Sequence, residues 1–115
     1  MDRRIEIIVS RIESDPGSVR LSELARKVNL SPSRLRHLFK QETGKRPGQY
    51  LKIERLKKAE GLLRTTFLTI KEIINQVGLA SQGHFLRDFK KAYGMSPTEY
   101  RKAVGLRNPR GRVKR

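Results

Sequence analysis

Ten side chains in two short stretches carry groups suited to recognition: Ser33, Arg34, Arg36, His37 and Lys40 in the first, Gln82, His84, Leu86, Arg87 and Lys90 in the second. Arginine offers a rigid fork of donors, glutamine a donor paired with an acceptor, histidine one of each, serine a rotating hydroxyl and lysine a mobile charge. Leu86 adds an apolar contact. This is the chemistry of gripping a polar or anionic partner, and it makes or breaks no covalent bond.

Catalytic machinery finds little support. The chain has no cysteine, which removes disulfides, thiolate zinc sites and cysteine nucleophiles. Its two histidines, His37 and His84, fall in separate stretches without metal-ligand spacing. No nucleophile sits beside a base, and neither a phosphate-binding glycine loop nor a carboxylate cluster is present. The expectation is a protein that is not an enzyme and needs no cofactor or metal.

Lysine and arginine total 27 against 11 acids, a formal charge of +16 over 115 residues. Such an excess points to a polyanionic partner: nucleic acid, an anionic membrane surface or an acidic protein. The opening MDRRIEIIVSRIESD has an apolar run broken by Glu6, too short for a signal core or a membrane span. A soluble, cytoplasmic protein with no membrane partner is expected.

The elements that must position these side chains read as helices throughout. Ile5, Ile8, Val9 and Ile12 recur at helical spacing, and the segment stops at Asp15-Pro16-Gly17-Ser18. Leu21, Leu24, Ala25 and Val28 form a short stripe ending at Asn29, a residue that tolerates the left-handed conformation used to leave a helix. Ser31 as N-cap and Pro32 at the first helical position start the next helix at once. There Leu35, Leu38, Phe39 and Glu42 face inward while Ser33, Arg36, His37 and Lys40 face outward. Gly44 ends it. Pro47 opens a longer helix to about Thr65, with Tyr50, Leu51, Ile53, Leu56, Ala59, Leu62 and Leu63 on its apolar stripe. Thr69 and Glu72 have capping-box spacing before Ile70, Ile73, Ile74 and Val77, and Gly78 repeats the role of Asn29. Phe85, Phe89 and Ala92 anchor the next helix, Gly94 ends it, and Ser96, Pro97 and Glu99 open a last one. The expected fold class is all-α with about seven helices.

The same unit occurs twice. Leu24 matches Ile73, Val28 matches Val77 and Leu30 matches Leu79, each 49 positions apart. Beyond the turn, Leu35 matches Phe85, Phe39 matches Phe89, Gly44 matches Gly94, Pro47 matches Pro97 and Tyr50 matches Tyr100, each 50 apart. Each unit has the pattern of a helix-turn-helix, whose second helix enters the major groove. From Gly48 to Thr65 the helix joining them would rise about 27 Å at ~1.5 Å per residue, near the ~34 Å between successive major grooves on one DNA face. The expected organisation is a first helix-turn-helix subdomain over 3–46, a linker helix over 47–65, a second subdomain over 66–104 and a basic, disordered tail over 105–115, all within one DNA-binding domain.

With these residues in hand, the chain resembles the DNA-binding domain of the AraC/XylS family of bacterial transcription regulators over residues 18–101. The run IKEIINQVGLASQGHFLRDFKKAYGMSPTEYR follows that family's pattern, including Gly78, Phe85, Phe89, Gly94, Pro97 and Tyr100, and RLKKAEGLL looks like its linker helix. Ile74 stands where the family usually has Ala, Leu79 replaces a usual Phe, and Gly83 leaves a position of the second recognition helix without a side chain. The resemblance is to the short stand-alone members or to a C-terminal fragment of a longer one. It implies sequence-specific binding of double-stranded DNA, with helices near 32–43 and 82–93 in adjacent major grooves, and RNA polymerase as a further partner. A complete chain would act as a monomer on DNA.

In that frame Ser33, Arg36, His37 and Lys40 form the first groove-facing set, and Arg34 flanks them as a further DNA contact. Arg can hold guanine O6 and N7 together, and His can donate or accept at a base edge. Gln82, His84, Leu86, Arg87 and Lys90 form the second, with Gln suited to adenine and Leu86 to a thymine methyl. Lys40 could also touch phosphate alone, and Leu86 could pack against the linker helix. The tail carries Arg107, Arg110, Arg112, Lys114 and Arg115 with no acid, either a solubilising arm or one that follows phosphates or enters a minor groove. Alternatives are a nonspecific nucleic-acid-binding, RNA-binding or architectural module, and the DNA-reading or interaction part of a larger ligand-responsive regulator.

Overall fold

The computed structural model describes residues 1–79 and 81–105. The expected basic arm therefore lies outside the described residues from position 106 onward. Among the described residues, seven α-helices and one short 3-10 turn make up the regular structure, and no strand occurs. They are α1 (Arg3–Ser14), the turn Pro16–Ser18, α2 (Leu21–Lys27), α3 (Pro32–Thr43), α4 (Pro47–Thr65), α5 (Ile70–Gln76), α6 (Gln82–Tyr93) and α7 (Pro97–Ala103).

The chain folds as two compact units that part between Glu54 and Arg55, partway along α4. In the first unit Ile5, Ile8 and Ile12 are fully buried along one stripe of α1, together with Val19, Leu24, Ala25, Leu30, Leu35, Phe39 and Leu51. In the second, Leu56, Ala59 and Leu63 of α4 lie buried with Ile73, Ile74, Val77, Phe85 and Phe89. The repeat is therefore longer than the motifs alone reveal. Ile5, Ile8 and Ile12 stand 51 positions before Leu56, Ala59 and Leu63, so α1 does for the first unit what the later part of α4 does for the second.

Local chemistry accounts for the helix ends. Asp2 caps α1, its carboxylate accepting from the Arg4 backbone N–H at 2.8 Å, and the Arg4 guanidinium beside it holds the carboxyl down to about 2. The backbone N–H of Asp2 donates to the Glu42 carboxylate of α3, which explains why an acid lies half-buried on that helix's inner side. Ser31 accepts from the Arg34 N–H at the start of α3, and Ser96 and Glu99 form a reciprocal capping box at the start of α7. Thr69 and Glu72 do the same for α5.

One expectation changes. Ala92 is exposed, and the third anchor of α6 is its neighbour Tyr93, whose ring lies 4.6 Å from that of Phe89. An alanine has too little apolar area for its place on the helical wheel to outweigh an adjacent aromatic ring.

Candidate nucleic-acid interface

In each unit two helices meet across a turn built by the same hydrogen bonds. Asn29 takes φ 60°, its N–H donating to the Arg26 carbonyl while Leu30 N–H donates to that of Ala25. Gly78 takes φ 80°, donating to Asn75, and Leu79 donates to Ile74. These are paired Schellman closures, which satisfy the last carbonyls of α2 and α5 and turn the chain into the next helix. Leu30 is buried and Leu79 half-buried, each holding its turn onto its own unit's core.

The helix beyond each turn presents what the turn delivers. Leu35 and Phe39 sink into the first core, leaving Ser33, Arg34, Arg36, His37 and Lys40 exposed on α3. A shallow cleft of about 530 Å³ on this helix brings Ser33, Arg36, His37 and Lys40 together, joined by Gln41 and Arg46. Sequence reasoning missed those two. Their signal is weak: Gln41 falls at the margin of the polar face, and Arg46 lies beyond Gly44, outside the helix.

Phe85 and Phe89 anchor α6 in the same way, and Gln82, His84, Leu86, Arg87 and Lys90 are exposed. Leu86 keeps 37% of its surface in solvent, so it is not absorbed by the core of its unit. The cap of α6 is Ser81, which accepts from the His84 backbone N–H, leaving the Gln82 side chain free of that duty. Gly83 is the second residue of α6, in the first turn rather than the interior where glycine costs about 1 kcal/mol. A Cβ placed there would meet only the Ser81 hydroxyl oxygen, at 3.9 Å.

A second duplicated feature fastens the helix that follows α3 and the one that follows α6. Tyr50 packs edge-on against Phe39 with centroids 5.4 Å apart, and Tyr100 packs edge-on against Phe89 at 5.5 Å. The Tyr50 hydroxyl donates to the Glu13 carboxylate at 2.5 Å, and that of Tyr100 donates to Glu60. Glu13 pushes the Tyr50 hydroxyl up to about 12, and Glu60 raises that of Tyr100. Arg64 and Tyr100 together hold the Glu60 carboxyl below its usual range.

Arg101 has no counterpart in the first unit, where the equivalent position is the buried Leu51. Its guanidinium donates to the carbonyls of Leu63, Thr66 and Leu68 at 3.1, 3.1 and 2.7 Å, satisfying the end of α4 and the connection to α5. Burial lowers its pKa.

Among the described residues no three His, Asp or Glu side chains are grouped to hold a metal ion, and no helix is long and apolar enough to cross a membrane.

Residues 24–103 match the sequence family described as "Helix-turn-helix domain". The arabinose operon regulatory protein of Escherichia coli is 41% identical over 81 residues, covering 70% of this chain and 28% of that protein. The chain spans about a third of the length of the curated relatives it matches. Among solved structures, the C-terminal domain of the response regulator AraT from Geobacillus stearothermophilus superposes with a TM-score of 0.77 at 35% identity, over 87% of this chain and 84% of that one. The DNA-binding domain of the global transcriptional factor AdpA, solved in complex with a target DNA, gives 0.79 at 27% identity, over 93% and 97%. The paired Schellman turns, the duplicated Phe–Tyr packing and these matches agree, and the chain belongs to the AraC/XylS family of helix-turn-helix transcription regulators as its DNA-binding domain.

Proposed function

We propose that the chain regulates transcription by reading a double-stranded DNA site with α3 and α6, each entering a major groove. The observation that carries this reading is the duplication: two helices set beyond equivalent turns, each anchored by two buried side chains and each presenting donors on its outer face. Arg36 and His37 of α3 are assigned to base edges and Lys40 to phosphate or base. Arg34 flanks them, Ser33 lies at the helix start, and Gln41 and Arg46 extend the contact surface. In α6, Gln82, His84, Leu86, Arg87 and Lys90 form the equivalent set, with Leu86 exposed enough to meet a thymine methyl.

In the same reading the subdomains span 3–46 and 66–104 with 47–65 as the linker, and a complete chain acts as a cytoplasmic monomer on adjacent grooves, without catalysing a reaction or using a cofactor. RNA polymerase is its second partner. The test is selection from a random duplex library at ~150 mM salt. Two enriched boxes about one helical turn apart support bipartite reading, and the absence of any motif overturns sequence-specific reading.

A second reading is favoured by the third of their length that this chain shares with its curated relatives: the DNA-reading part of a larger ligand-responsive regulator. Enrichment of paired half-sites only when two copies are fused would select it.

A further inference from the structure

Beside the recognition helix of the first unit lies a cavity of about 650 Å³, within the ~300–1,000 Å³ range of small-molecule sites. Its lining is mainly apolar, with Ala25, Leu35 and Pro47 buried and Leu21 half-buried. Three cations, Arg36, Lys40 and Arg46, also line it, and no acid does. A water-filled phosphate cleft needs donors but no apolar wall, and a purely hydrophobic site needs no cluster of cations. An apolar wall beside one-signed charge suits a ligand with both features.

We propose that this cavity is an effector site for a small organic anion with an apolar body, an aryl or alkyl carboxylate, whose apolar part lies against Leu21, Ala25, Leu35 and Pro47 while its carboxylate pairs with the cations. The consequence for DNA rests on the function proposed above. Arg36 and Lys40 belong to both the cavity and the outer face of α3, so an anion seated there neutralises donors that DNA needs and weakens binding. Coupling is then direct competition for two side chains, with no conformational change required.

The test begins without DNA, so that its result does not depend on the DNA-binding reading. The 115-residue protein is titrated with 4-phenylbutyrate while its backbone amides are followed by NMR, with 4-phenylbutanol as the uncharged comparison and inorganic phosphate as the anion lacking an apolar body. The expected result is saturable shifts centred on Leu21, Ala25, Leu35 and Gly48, with a Kd near or below about 1 mM, and binding at least about 5-fold weaker for the alcohol and for phosphate. Gly48 lines the cavity and a Cβ there meets open space, so Gly48→Leu should fill part of the site and weaken 4-phenylbutyrate at least about 5-fold without disturbing the fold. Ser22→Leu, an exposed lining position, is the second filling variant should the first unfold. Shifts spread over every basic residue, equal binding of phosphate, or binding unaffected by a folded filling variant would each overturn the site. A selected DNA duplex is then added. Loss of DNA affinity in proportion to occupancy supports the competition, occupancy without that loss overturns it, and failure to bind any duplex strikes only the DNA-binding reading.

Discussion

Arg36 and Lys40 are four residues apart on the same face of α3, yet they should fail differently when removed. If Arg36 holds a guanine edge in a bidentate way, Arg36→Ala loses about 1–3 kcal/mol and relaxes specificity at one base position. If Lys40 neutralises a phosphate, Lys40→Ala weakens all duplexes alike and reduces the salt slope by about 1. Anisotropy titrations on a selected site and on a scrambled duplex at several salt concentrations separate the two roles. The Tyr50–Glu13 pair makes a prediction about pH. A hydroxyl raised from 10.0 to about 12 contributes stability that is complete below pH 10 and is lost as pH rises towards 12, because the unfolded chain gives up the proton first. Tyr50→Phe should flatten that part of the stability profile, measured by chemical denaturation at intervals from pH 9 to pH 12 and compared with the same profile for Tyr100→Phe.

The helix-turn-helix elements depend on their left-handed turn residues. Gly78 at φ 80° cannot be exchanged freely, and Gly78→Ala should cost about 1–2 kcal/mol of second-unit stability, while Asn29→Gly should be tolerated at φ 60°. Thermal melts followed by circular dichroism measure both. These elements were legible in the sequence because each boundary is set by a residue with a local mechanism: Ser31 and Pro32 start α3, Gly44 ends it, and Thr69 with Glu72 starts α5. The assignment of α1 as the counterpart of the later part of α4 was not legible, because isoleucines match leucine and alanine there and the offset differs from that of the turns. The Arg101 clamp and the Tyr–Glu pairs were hidden for another reason: residues 33 to 40 positions apart meet only through tertiary packing. Likewise the outward set on α3 followed from helical period alone, whereas Arg46 joins the cleft from beyond the helix and no periodicity reaches it.

For the whole molecule, two cores divide the consequences of a cavity. Phe39 and Phe89 are fully buried at equivalent places in separate units. Phe39→Ala should cost the first unit about 3–5 kcal/mol, with Phe89→Ala doing the same to the second. Amide hydrogen exchange would locate each loss in its own unit, and equal loss of protection in both would contradict their separateness. The charge of +16 acts on the molecule as one body. With roughly 6–10 phosphate contacts, affinity for DNA should fall ~10³–10⁵-fold between about 50 and 200 mM salt, and a flat response would speak against backbone contact as a main source of affinity.

The Arg101 guanidinium also fixes a length. Three carbonyls spanning the end of α4 and the connection to α5 are held in one plane of donors, so the number of residues between Leu63 and Leu68 cannot change without breaking the set. An inserted residue in this connector would displace at least one acceptor, and lysine at position 101 could not replace the fork. Over evolutionary time, insertions in the second unit should therefore be excluded from this connector while substitutions of its exposed side chains, such as Phe67, pass freely.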